Sequence, residues 1–125
     1  KIKNIRNVIF KKKYENIENV LRRYDLYLSS SLSESSPTSL WEAMGYGVPV
    51  LSTNVGDISN IFSGYKNIID FNVNKKTLIE IKNLLDSEKK RQKLGIFSRK
   101  FAKKNFSFKK IAKKQIMYYS TFFNN

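Results

Sequence analysis

Neither cysteine nor histidine occurs anywhere in the 125 residues. Without thiols there can be no disulfide framework and no thiolate metal site. Without imidazole the commonest general base and metal ligand is missing, which excludes a Ser-His-Asp hydrolase, a zinc enzyme and a His-based phosphotransferase. No apolar run approaches the roughly 20 residues that a membrane-spanning helix requires, and no signal peptide is visible. Acidic residues are scarce, ten Asp plus Glu against 24 Lys plus Arg, for a formal net charge of +14. What the chain does have is apolar side chains: 41% of it is hydrophobic, with nine Phe, seven Tyr and one Trp. That is sufficient for a packed core and argues against disorder. At this length the chain is one domain at most, or part of a larger one, and its first residue, Lys1, favours a part.

Charge is unevenly distributed. Residues 1–24 hold eight basic and two acidic side chains, and residues 74–125 hold fifteen and three. Between them, residues 25–73 hold one basic side chain, Lys66, and five acidic ones, Asp25, Glu34, Glu42, Asp57 and Asp70. The mildly acidic centre is therefore a different material from its flanks. Lys, Asn, Ile and Tyr are used heavily throughout, and A/T-rich codons give that excess without any anionic partner.

Hydrophobic periodicity predicts alternating strands and helices. Asn7-Val8-Ile9-Phe10 reads as a buried strand running into Lys11-Lys12-Lys13, and Ile17, Val20 and Leu21 have helical spacing. A strand is expected over Tyr24–Leu28, a helix over 36–46 with Leu40, Ala43 and Met44 on one face, and a strand over Val48–Leu51. Gly47 is placed to close the helix in a left-handed turn. A short helix over Asp57–Phe62 and an edge strand over Asn67–Phe71 follow. Short strands alternating with helices of about ten residues indicate parallel βαβ units. Beyond them the chain turns helical, with one stripe of Leu78, Ile81 and Leu85 and another of Leu94, Phe97 and Phe101. Ser107 is a candidate N-cap for the last helix, with Phe106 stapled on Ile111. The expected fold class is α/β, a partial doubly wound parallel sheet followed by C-terminal helices.

The most informative segment runs from Glu34 through Ser35, Ser36, Pro37, Thr38, Ser39, Leu40 and Trp41 to Glu42, then Ala43-Met-Gly-Tyr-Gly-Val-Pro-Val50. Two glutamates eight apart mean little alone; Glu80 and Glu88 repeat the spacing in a helical region and read as solvated surface. Glu34, however, falls in the loop after a predicted parallel strand, where open α/β sheets bind ligands. Ser36 as N-cap and Pro37 at the first helical position start a helix. The free N–H groups of Thr38 and Ser39 then offer an anion site at the positive end of the helix dipole. Helical side chains lean towards the N-terminus, so Glu42 is expected to reach back to the same mouth. Two acceptors flanking an anion-binding helix end suit a ligand with phosphate in the middle and hydroxyls on both sides. On the bland reading, Glu34 is a loop acid and Glu42 a solvated helix residue.

From Glu34 to Val50, with Asn54-Val55-Gly56 beyond, the sequence resembles the signature of the group 1 glycosyl transferases, retaining enzymes of the two-domain GT-B fold that use nucleotide-sugars. Tyr24–Ser30 is similar to the family's strand before that motif, and Phe106–Tyr118 to its closing helix. The resemblance implies that residues 1–125 are the distal part of the C-terminal, nucleotide-sugar-binding domain, with the N-terminal acceptor domain absent. Glu34 would lie beside the donor sugar as the catalytic-site carboxylate. The backbone of Ser35, Ser36, Pro37, Thr38 and Ser39 would meet the sugar and diphosphate, and Glu42 the ribose hydroxyls. The Lys11–Lys13 loop would approach the nucleobase. No metal and no cofactor beyond the donor substrate are implied. The leaving diphosphate would help deprotonate the acceptor in a front-face, retaining transfer. Three departures stand out: Ser35 where the family usually has Gly, Asp57 and Asn60 in the loop after Gly56, and no diphosphate-binding Arg and Lys within the chain.

The expected acceptor is a glycan or a lipid-linked molecule, in surface polysaccharide or glycoconjugate synthesis, and the expected place is the cytoplasm, peripheral to the inner face of the membrane. Lys109, Lys110, Lys113 and Lys114 form a basic face beside Tyr118 and Tyr119, suited to anionic lipid. The alternative is a basic module without catalysis that binds nucleic acid or a membrane surface. The acidic centre and the lack of a recognisable nucleic-acid motif disfavour nucleic acid.

Overall fold

Parallel strands order the fold. The computed structural model describes residues 7–9, 16–58, 68–69 and 74–123. In chain order, α1 is Ile17–Leu21, β1 Tyr27–Ser29, α2 Thr38–Gly45, β2 Val50–Thr53 and β3 Ile68–Ile69. Three helices follow: α3 Lys75–Leu85, α4 Glu88–Asn105 and α5 Phe108–Phe123. The strands form one parallel sheet in the order β1-β2-β3, with Tyr27 opposite Val50, Ser29 opposite Ser52, and Ser52 opposite Ile68. All four residues of β2 are buried, as a central parallel strand covered on both faces requires.

The βαβ unit is built as the sequence predicts. Leu40, Ala43 and Met44 of α2 are fully buried and pack with Leu21, Val48, Val50, Ile58 and Ala102. The close of α2 is a Schellman turn. Gly47 sits at φ +81°, its N–H donates to the Met44 carbonyl, and the Val48 N–H donates to the Ala43 carbonyl. Val48 therefore belongs to the turn, and the strand begins at Val50, two residues later than its apolar run suggests. Pro49 costs nothing there: it lacks only the N–H, and its carbonyl accepts from the Tyr27 N–H at 2.8 Å.

One expectation is corrected. Asn7, Val8 and Ile9 are not a buried strand: Asn7 has φ +71°, outside the extended region, and Val8 and Ile9 are exposed. Phe10 and Lys11–Lys13 lie outside the described residues, as do most of 57–62 and 67–71 apart from Asp57, Ile58 and the β3 pair. Helices α3 and α4 form where their apolar stripes indicate, and Leu94 and Phe101 of the second stripe pack on the core. Leu78, Leu85 and Phe97 are exposed, while α3 buries Thr77 and α4 buries Gly95, Ser98 and Ala102. The reason is proximity: a Cβ on Gly95 would fall 2.2 Å from the Gly47 carbonyl oxygen. Small side chains let α4 lie directly on the turn that ends α2, with Leu94 and Phe101 wedged alongside. Phe106 stacks on Trp41, centroids 4.0 Å apart, and lies 6.5 Å from the Phe101 ring centroid, turned towards α2 and α4. Ser107 does start α5, its carbonyl accepting from Lys110 and Ile111.

Among the described residues, no helix is long and apolar enough to cross a membrane.

Candidate functional site

Glu34 lies where the sequence predicts, in the loop between the carboxyl end of β1 and the start of α2. Its carboxylate is partly buried and accepts a hydrogen bond from the Ser31 hydroxyl at 2.9 Å. Ser31 is tied down in turn: its carbonyl accepts from the Thr53 hydroxyl at the end of β2, at 2.7 Å.

The loop after β2 closes on the same segment from the other side. Gly56 is in the left-handed region at φ +57°, and a Cβ there would sit 2.0 Å from the Glu34 carbonyl oxygen and 2.8 Å from that of Ser35. Only glycine allows this approach without displacing the backbone. The Asp57 N–H donates to the Ser35 carbonyl at 3.3 Å. The Asn54-Val55-Gly56 loop therefore clamps Glu34 and Ser35 through their main chain.

The helix start differs by one residue from the sequence reading. Pro37, at ψ 84°, is the cap itself, Thr38 is the first helical residue, and no side chain caps the end. The Pro37 carbonyl accepts from Leu40 and Trp41. Ser36 does not cap: its hydroxyl accepts from the Trp41 indole N–H at 3.4 Å. Pro37 is buried, so the corner is held by packing. The N–H groups of Thr38 and Ser39 make no hydrogen bond to another described residue. The Ser39 hydroxyl pairs with the Tyr27 hydroxyl at 2.8 Å, tying the first turn of α2 to β1.

Glu42 is exposed one turn along α2. It borders an open hollow of about 570 Å³ shared with Trp41, Gly45, Ala102, Lys103, Phe106 and Ser107. Local sequence gives no sign of Lys103 or of the Trp41–Phe106 stack beside this glutamate, since both depend on how α4 lies across α2. Ser31 and Thr53 are likewise invisible to motif reading, being an ordinary loop serine and a strand threonine. The control pair behaves as surface: Glu80 and Glu88 are both exposed, and Glu88 accepts from Gln92 within its own helix.

A loop carboxylate at the carboxyl ends of parallel strands, clamped by a glycine and followed by a helix start with no side-chain cap, occupies the position at which open α/β sheets bind ligands. The family model for "Glycosyl transferases group 1" matches residues 1–101, and the chain belongs to that family. It is 33% identical over 94 residues to the spore coat protein SA of Bacillus subtilis (strain 168), a match that covers 73% of this chain and 25% of that protein. The chain thus spans about a quarter of the length of the curated relative it matches.

Proposed function

We propose that this chain is the donor-binding part of a retaining glycosyl transferase, half of a doubly wound C-terminal domain. Its substrate is a nucleotide-sugar, whose glycosyl group, hexosyl or related, passes to a glycan or lipid-linked acceptor in surface polysaccharide or glycoconjugate synthesis. The single observation that carries the reading is the corner around Glu34: a fixed carboxylate beside a helix start with no side-chain cap. Unpaired N–H groups at a helix start favour a phosphate, and carboxylates favour hydroxyls. In this arrangement Glu34 faces the sugar, Ser35–Ser39 meet the sugar and diphosphate through their backbone, and Glu42 takes the ribose. The proposed chemistry calls on no metal and no further cofactor. A polypeptide of residues 1–125 alone, about a quarter of the length of its relative, should not transfer sugar.

Calorimetric titration of the full-length protein with UDP, GDP and ADP tests the assignment. A charge-assisted hydrogen bond contributes about 1.5–3 kcal/mol, so Glu42→Gln should weaken the preferred diphosphate roughly tenfold or more. Glu34→Gln should lower turnover more than it lowers affinity for the free diphosphate, which carries no sugar. Glu80→Gln should change neither. Wild-type affinity in Glu42→Gln, or equal damage in Glu80→Gln, would remove the assignment.

The proposal places the protein in the cytoplasm at the membrane surface, and helix α5 favours the membrane part of it. Helix α5 buries no residue and contains no acid, and at helical spacing Lys109, Lys110, Lys113 and Lys114 share one face while Phe108, Ile111 and Phe122 fall on the other. That segregation is the pattern of an interfacial helix. Reversing the four lysines to Glu should abolish salt-sensitive binding to anionic vesicles; unchanged vesicle binding, or binding to DNA alone, would count against it.

A further inference from the structure

The hydrogen-bond chain from Thr53 through Ser31 to Glu34 has no part in the proposed donor contacts. Thr53 is 1% exposed at the end of the central strand, so its hydroxyl has to be satisfied inside the protein. It donates to the Ser31 carbonyl at 2.7 Å, which fixes the backbone of Ser31 relative to the sheet. Ser31 then aims its own hydroxyl at Glu34 Oε1, 2.9 Å away. A glutamate has three side-chain torsions, and a partly buried loop position does not by itself select among them. The Gly56–Asp57 clamp acts only on the main chain of residues 34 and 35. Ser31 is the described residue whose side chain holds the Glu34 carboxylate.

We infer that Ser31 is a positioning residue for Glu34, with Thr53 as its anchor in the sheet. The inference rests on the reading of Glu34 as the carboxylate that faces the donor sugar. One Glu34 oxygen is committed to Ser31, which orients the carboxylate and leaves its second oxygen to the sugar. The rotamer is selected before the donor arrives, so ordering it does not draw on binding energy.

The test uses the full-length protein with UDP-glucose, GDP-mannose and ADP-glucose as donors, and UDP, GDP and ADP as free diphosphates. Ser31→Ala should lower kcat about fivefold to tenfold, the equivalent of one hydrogen bond, with affinity for the free diphosphate unchanged. Ser31→Thr, which keeps the hydroxyl, should recover most of the rate. Thr53→Val should reproduce the loss of Ser31→Ala, whereas Thr53→Ser should not. In a Glu34→Ala background, Ser31→Ala should cost nothing further, because the group it positions is gone.

Turnover in Ser31→Ala equal to wild type, an additive loss in the Glu34→Ala background, or an equal loss of diphosphate affinity would overturn the positioning role while leaving the donor site intact. Wild-type turnover in Glu34→Ala, or no turnover of any of the three donors, would overturn the functional reading itself.

Discussion

Helices α1, α3 and α4 close their N-termini with a side chain, and helix α2 does not. Asn16 accepts from the Asn19 N–H, Asn74 from Thr77 and Ser87 from Lys90. At α2 the cap is Pro37, which has no side-chain acceptor, and the nearby Ser36 hydroxyl is engaged with Trp41. A good cap contributes about 1 kcal/mol. The chain forgoes that contribution at the one helix that follows Glu34, and recovers order there by burying Pro37 and joining Ser39 to Tyr27. The contrast separates a helix start completed by the protein from one left for a ligand to complete, which is the role the proposed function gives it.

That contrast can be broken most forcefully at Gly56. Gly56→Ala puts a methyl into the Glu34 carbonyl and forces alanine into a left-handed conformation; overpacking and backbone strain together should cost about 2–4 kcal/mol in urea unfolding of the full-length protein. An alanine tolerated there would mean that the loop does not clamp Glu34. Asn74→Ala should cost about 1 kcal/mol in the same measurement, as loss of a real cap does. The smallest effect belongs to Ser36→Ala, expected within about 0.5 kcal/mol, because its hydroxyl caps nothing and its indole contact is exposed. A loss at Ser36 as large as that at Asn74 would erase the distinction between the two kinds of helix start.

Much of the βαβ unit was legible because its signals are local. Leu40, Ala43 and Met44 recur at helical spacing, and Gly47 ends their helix in the predicted conformation. The candidate loop could be placed for the same reason: a carboxylate at the end of a strand, then Ser-Pro, then an apolar face. The sequence pattern places the helix start one residue early, because a Ser before Pro looks like a cap whether or not its hydroxyl turns to the backbone. What local sequence could not convey is proximity across the fold. Leu78, Leu85 and Phe97 are strongly apolar yet exposed, while α4 buries Gly95, Ser98 and Ala102, whose smallness carries no hydrophobic signal. The Thr53–Ser31 link joins residues 22 apart. Its serine and threonine resemble any others until the parallel register brings Ser29 opposite Ser52 and so sets the ends of β1 and β2 side by side.

The seam under α4 also implies an order of assembly. Gly95 packs against the Gly47 carbonyl and the Pro49 ring, a surface that exists only after α2 has turned back into β2. The unit β1–α2–β2 closes over a short stretch of chain, and such near-neighbour contacts form early. Helix α4 can find its place only against that finished corner. Its small residues should therefore govern how fast the native structure comes apart more than how fast it forms, whereas Leu40 and Met44 should set the rate of formation.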